Sequence, residues 1–235
     1  MNVVEVVLET QGKVGFASRE VGRTVDSGEY LLNTALHYAF GFSSGRYVDI
    51  KHRPTYIEDT EDIADELYIT PAEPLASPNY WTTIYNARGD RYTTVNYAAA
   101  DDPDQDINIP RFGRERAFSH GNEFRCYIVP KETTAAAILS HLPAYIRLGK
   151  KRGKAKLHVR TVEAKRKEGQ FTLNHPISVY DYTGDPLGSV ISKNMRPTPL
   201  LLQADYVDDY LEISRPDNEP PARLPVDVTF LATKR

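Results

Sequence analysis

The residues of this chain whose type and spacing point most directly to a chemistry are its clustered cations. Between positions 147 and 167 stand ten Lys or Arg against one acid, Glu163, a local charge of about +9. The other nineteen bases face thirty-one acids, leaving the remainder near −12. The run Arg147-Leu148-Gly149-Lys150-Lys151-Arg152-Gly153-Lys154-Ala155-Lys156-Leu157-His158-Val159-Arg160 sets two glycines among the cations. Glycine has no Cβ and reaches positive φ, so backbone amides there can approach a polyanion closely. Flanking Lys and Arg neutralise phosphates and release counterions, the main electrostatic source of nucleic-acid affinity. Arg147, Lys150, Lys151, Arg152, Lys154 and Lys156 are therefore the first candidate RNA contacts, with Arg160 continuing along the strand. Arg111, Arg114 and Arg116 form a second set, for RNA or DNA, and Arg19 and Arg23 a third. Aromatic residues between them, Trp81, Tyr85, Tyr92 and Tyr97, have the flat faces on which unpaired bases stack.

Catalytic groups are harder to assemble. Six histidines, His37, His52, His120, His141, His158 and His175, show no metal-ligand spacing, and no metal site is expected. No phosphate-binding Gly-x-x-x-x-Gly-Lys-Ser/Thr loop or strand-linked Gly-x-Gly-x-x-Gly occurs, so no cofactor is expected. His158, within the basic strand, and His37, on the polar side of a helix, are the only histidines positioned for general acid or base work on RNA. The carboxylates of 58–66 and 205–212 read as solvated acidic faces. A binding protein without catalytic residues is the simpler reading, and a metal-independent ribonuclease is its rival.

The elements that must hold these residues follow from periodicity. Val3 to Glu9 is a nearly continuous β-branched run, a buried first strand. Asp26-Ser27-Gly28-Glu29 offers a capping box ahead of a helix over Tyr30 to Phe40, which Gly41 ends. A short acidic helix over Thr60 to Leu67 precedes an extended Leu67 to Thr70. Trp81 to Tyr85 and Arg91 to Tyr97 flank the turn-rich Asn86 to Asp90, a hairpin with no one-sided apolar face and hence an arm. Glu123 to Val129 alternates as a strand, Thr133 to Leu142 is an Ala-rich helix stopped by Pro143, and the glycine turn follows. Leu157 to Val162 and Phe171 to Val179 are predicted strands joined by a turn at Ala164 to Gly169, and a last strand spans Val226 to Leu231. The pattern is that of an α+β domain; a ferredoxin-like or RNA-recognition-type core, of the kind that presents RNA to a sheet face or edge, fits it, as do several other α+β folds.

At 235 residues, with 40% apolar and 26% charged residues, the chain can bury a full core. Sixteen prolines and fifteen tyrosines favour irregular loops and strand surfaces over helical bundles. One cysteine, Cys126, excludes an internal disulfide and sits on the apolar side of its strand with Phe124 and Ile128. With no signal peptide and no long apolar run, the cytoplasm is the expected compartment.

Four blocks of residues, in order, resemble one family. Phe16 to Arg23 with Tyr30 to Gly41, then Tyr68-Ile69-Thr70-Pro71-Ala72, Ile109-Pro110-Arg111-Phe112-Gly113-Arg114, and Tyr145 to Lys150 with Lys154-Ala155-Lys156, are similar to the Csc-one proteins. These are the Cas-five-type subunits of type I-D CRISPR effector (Cascade) complexes. Arg111 and Lys151-Arg152-Gly153 are more basic than the family pattern. The resemblance implies a single RAMP domain over 1–235: a ferredoxin-like, RNA-recognition-type core, a glycine-rich loop, and a protruding β-hairpin thumb inserted at about 76–110. It implies a ribonucleoprotein subunit of antiviral defence that holds the 5′ handle of the CRISPR RNA and caps the backbone filament. Its implied partners are CRISPR RNA, the Cas-seven-type backbone subunits, the Cas-ten-type large subunit, and target double-stranded DNA beside the PAM. Trp81, Tyr85, Arg88 and Tyr92 would be thumb residues meeting a neighbouring subunit. Most members of the type do not cut RNA, although in another CRISPR subtype the corresponding subunit is the processing ribonuclease.

Overall fold

The computed structural model describes residues 1–43, 55–87, 111–216 and 219–234. Its elements are β1 (Asn2–Thr10), β2 (Arg19–Val21), β3 (Thr24–Asp26), α1 (Asn33–Ala39), β4 (Leu67–Ile69), β5 (Glu73–Pro74), β6 (Tyr80–Ala87), β7 (Arg111–Phe118) and β8 (Glu123–Pro130). There follow α2 (Ala135–His141), β9 (Tyr145–Leu148), β10 (Gly153–Leu173), β11 (Ile177–Ser178), β12 (Leu187–Lys193), β13 (Leu200–Ile213) and β14 (Ala222–Pro225).

The β-branched start of the chain becomes the central strand. β1 lies between β8 and β10, antiparallel to both, and β4 continues the sheet beyond β8. The order through the middle of this sheet is therefore β10-β1-β8-β4, with α1 between β1 and β4 in the chain and α2 between β8 and β10. Leu36 and Phe40 at α1 and Ile138 of α2 share one core with Val4, Val6 and Leu8, with Phe124, Cys126 and Ile128, and with Ala155 and Leu157. Strand side chains alternate between faces, so this core covers one face of the sheet. Val3, Tyr68, Tyr127 and Val129 point to the other face and join a second core with Phe171, Tyr206, Tyr210 and Leu211. There the Phe171 and Tyr210 rings stack 4.6 Å apart. Burying each such side chain contributes roughly 1.5–3 kcal/mol, which is why both faces of β1 are apolar near its start. A separate four-stranded sheet has the order β2-β3-β7-β6, with β3 and β7 parallel.

Several expectations need correction. The first helix is only seven residues long, and its N-cap, Leu32, makes no side-chain cap hydrogen bond. Leu31 is instead bridged to Ala72, which holds the chain extended up to the helix. Asp26 and Ser27 are used elsewhere: Asp26 accepts from the Gly28 amide at 3.1 Å and Ser27 Oγ from the Phe16 amide at 2.9 Å. The acidic helix of 60–67 is a short 3-10 turn, Glu58–Thr60. No turn interrupts 164–169, because β10 runs 21 residues and changes partner there, from β1 up to Asn2↔Glu163 to β13 from Ala164↔Ile213. The polar run mistaken for a turn is a cross-strand charge ladder: Lys167 Nζ lies 2.6 Å from Glu212 and Arg166 pairs with Asp209. The stretch 205–212, read as a merely solvated acidic face, thus belongs to the strand that neutralises the end of the basic run. Residues 226–231 form no strand; Thr229 and Leu231 donate their amides to Asp181 instead. The predicted strand 91–97 and most of the arm lie outside the described residues, among which the partner of β6 is β7.

Candidate nucleic-acid interface

The glycine-containing turn joins β9 to β10, which pair as a hairpin with Leu148 opposite Gly153. Gly149 has φ 73° and Arg152 φ 50°, the left-handed region that closes so tight a turn. Both glycines are required by the chain itself. A Cβ on Gly149 would stand 2.4 Å from the Gly15 carbonyl oxygen, and one on Gly153 2.5 Å from that of Lys13. The Lys150 amide donates to Gly15 O at 2.9 Å. The close backbone approach expected toward a polyanion is thus made, at Lys150, toward residues 13–15. Gly149→Ala is expected to cost about 3 kcal/mol, combining left-handed strain with a backbone clash. A fall in Tm of roughly 10 °C would report it. Gly22→Ala, at φ 57° with open space around its Cβ, is the comparison that isolates strain alone and should cost far less.

Side chains from the hairpin reach the sheet face that the helices leave uncovered. Arg147 stands opposite Lys154 and Tyr145 opposite Lys156. The Lys154 ammonium sits 3.8 Å above the Tyr145 ring. Lys154, Lys156, His158 and Arg160 alternate along β10, so they share this face. Across β1 they meet acids that change their meaning. Arg160 is ion-paired to Glu5, whose carboxylate is 1% exposed, and His158 Nε2 is 3.4 Å from Glu9 Oε2. Arg125 Nε lies 3.3 Å from Glu5 without hydrogen bonding to it, and its terminal nitrogens donate to both oxygens of Glu219 at 2.6 and 3.1 Å. Burial opposes the Arg125 charge, but the hydrogen bonds to Glu219 and the field of Glu5 outweigh it and raise its pKa. These groups border a cleft of about 640 Å³. Arg160 therefore serves the cleft's internal charge network before any phosphate.

The small sheet carries the other two basic sets and reaches the same turn through one acid, Glu115. The Arg114 amide donates to Arg23 O at 2.9 Å, and β3 runs beside β7 with Thr24 opposite Arg114. Arg19 and Arg23 are exposed at the rim of that sheet, as is Arg114. Arg116 is 3.2 Å from Asp26, and its guanidinium lies 3.5 Å over the Tyr80 ring. Glu115 links sheet and turn: Lys151 Nζ approaches its Oε2 at 2.5 Å and Lys13 Nζ at 3.2 Å, while Lys13 also donates to Thr83 Oγ1 at 2.6 Å. The hydrogen bond from Lys151, with Lys13 behind it, holds the Glu115 carboxyl below the usual range despite partial burial. Trp81, 62% exposed, presents its ring from β6. Arg88 and Tyr92 lie outside the described residues, as do the side chains of Tyr85 and Arg111.

Glu5, Arg125, Glu115 and Lys13 were not among the expected site residues. Glu5 had a signal, a lone acid inside a continuous apolar run, whereas Glu115 is marked only by its tertiary neighbours. His37 does not reach any sheet edge: it is fully buried, its ring 4.4 Å from that of Phe230, because the helix face read as polar packs under the C-terminal segment. Among the described residues no group of acids, Cys and His could hold a metal ion, and no helix is long and apolar enough to cross a membrane.

Solved structures similar to the chain include a subunit of the type III-B Cmr-beta complex bound to cognate target RNA and AMPPnP. That match has 10% identity and a TM-score of 0.47, over 89% of this chain and 86% of the other. A CRISPR protein from Archaeoglobus fulgidus matches at 16% identity and a TM-score of 0.43, over 95% of this chain and 100% of the other. No curated protein matches. The family model described as "Type I-D CRISPR-associated protein Cas5/Csc1" matches residues 1–233, and the chain thus belongs to the Cas5/Csc1 family of type I-D CRISPR-associated proteins.

Proposed function

We propose that this protein is a non-catalytic RNA-binding subunit of a type I-D CRISPR effector complex, holding the 5′ handle of the CRISPR RNA. The observation that carries the reading is the exposed cationic turn 149–152, continued by Lys154 and Lys156 on β10 and tied through Glu115 to a small sheet that carries two further basic sets. The strand order β10-β1-β8-β4 with its two helices supports a ferredoxin-like RAMP core, and β6 with β7 supports a thumb rooted in the small sheet. Capping of the filament and contact with the large subunit beside the PAM belong to the same reading, in which guide pairing reads the target and protein reads backbone and PAM. β12 supports a protein neighbour: it exposes Leu187 and Ile191, at 47% and 53%, and the β13 it pairs with exposes Val207 at 64%.

The test is incubation with labelled repeat RNA in EDTA across a salt series, reading binding and cleavage in the same samples. Salt-dependent binding of intact RNA is expected. Discrete cutting that disappears in His158→Ala would move the protein to the ribonuclease class. Glu115→Gln sharpens the test, because the carboxylate occupies Lys13 and Lys151 in the way a phosphate would. Freeing both is expected to tighten RNA binding at low salt and steepen the salt slope by about 1.4, at roughly 0.7 per phosphate contact on a single strand.

A further inference from the structure

A second recess, of about 270 Å³, opens beside the turn, between residues 16–18, α1 and Arg196-Pro197. It is slightly smaller than the roughly 300 Å³ at which small-molecule pockets begin, a size suited to one planar ring system. The rings of Phe16, Tyr30 and Tyr56 wall it, and Tyr38 beside them is held by a 2.7 Å hydrogen bond to Asp59. Two hydroxyl residues line it, Ser18 and Thr34, only 5% and 3% exposed. Neither hydroxyl makes a hydrogen bond among the described residues. Neither oxygen is among the buried polar atoms left without a partner, so both open to the recess and are free to bond the polar edge of a ligand. Two cations line the recess as well. Lys150 comes from the turn and has no ion pair among the described residues, and Arg196 reaches Glu20 only at 3.8 Å. Aromatic walls, hydroxyls and cations match the three parts of a nucleotide: the face of the base, its edge and its phosphate.

We propose that this recess holds one nucleotide, its base against the Phe16, Tyr30 and Tyr56 rings, its edge bonded by Ser18 Oγ and Thr34 Oγ1, and its phosphate at Lys150 and Arg196. The nucleotide has two possible sources, one residue of a bound RNA, which rests on the RNA-binding reading, or a free mononucleotide, which does not. Beyond Lys150, sequence alone gave no hint of the site, because its residues come from five separate stretches of the chain.

Repeat RNA carrying an abasic site, moved one position at a time, is titrated against the wild-type protein and an S18A/T34V double variant, with AMP, GMP, CMP and UMP titrated in parallel by calorimetry. One abasic position is expected to weaken wild-type binding about tenfold. The double variant should bind unmodified RNA more weakly and be indifferent to that position; Tyr30→Leu provides the same comparison should the double variant melt early. Mononucleotide binding lost in the variant supports the recess with free nucleotide as its source, and does so even if RNA is not bound, a result that would overturn only the RNA-binding reading. RNA binding that tolerates an abasic site at every position, with no mononucleotide binding, overturns the recess and leaves the RNA-binding reading standing. If neither ligand binds, both are overturned.

Discussion

Replacing Lys150, Lys151, Arg152 and Lys154 together by Ala is expected to weaken binding of single-stranded RNA by about two to three orders of magnitude at 0.1 M salt. The estimate follows from counterion release: four phosphate contacts at roughly 0.7 each make the logarithmic salt dependence shallower by about 3. All four side chains are exposed, so their truncation should leave the fold intact, within about 0.5 kcal/mol each. Gly149 and Gly153, which seat the turn on residues 13–15, remain in place, and Glu115 keeps Lys13 as a partner. Fluorescence anisotropy over a KCl series checks the prediction, with a melting curve to show that stability is retained. An unchanged salt slope would remove the turn from the RNA-binding surface and leave the sheet face and the β2-β3-β7-β6 sheet as the remaining basic surfaces.

Loss of Asp181 should have the largest effect on stability. Its carboxylate is fully buried and accepts from Asn33 Nδ2 at 2.7 Å, Tyr68 OH at 2.8 Å and the Leu231 amide at 2.9 Å. It thereby ties α1, β4 and the C-terminal segment into one unit, and Asn33 adjoins Thr34 of the recess. Asp181→Ala removes the acceptor of three buried hydrogen bonds, leaving Asn33 Nδ2 only its bond to Ile69 O, a loss of about 3–5 kcal/mol, or roughly 10 °C in Tm. Titration adds an independent signature. Burial, opposed by the three donors and the Ser178 contact, pushes the Asp181 pKa up to about 6. A carboxyl whose folded pKa exceeds its unfolded value near 4 binds its proton more tightly when folded. The resulting stability is complete below pH 4 and lost as pH rises through 6, an amount on the order of 3 kcal/mol. The stability of wild type relative to Asp181→Asn should accordingly fall between pH 4 and 6 and level off above 7. A difference independent of pH over that window would mean that Asp181 is ionised throughout.

What the linear chain determined was the local: strand β1, strand β8 with Cys126 turned inward, helix α2 with its Pro143 stop, and above all where the basic charge is concentrated. Those features depend on alternation, propensity and residue type within a few positions, and they survive folding because nothing distant opposes them. Tertiary structure decided the rest. It ran β10 straight through a polar stretch, because acids some forty residues later on β13 paired with Arg166 and Lys167. It turned Arg160 toward a buried Glu5 and enclosed His37 beneath Phe230. It also set Arg19, Arg23 and Arg114 on one small sheet through β2, β3 and β7, and tied that sheet to the turn through Glu115. Charge is a property of residues and can be counted along a chain. Whether a charge is free for a phosphate depends on which opposite charge the fold sets beside it, and that pairing acts between positions that no local pattern connects.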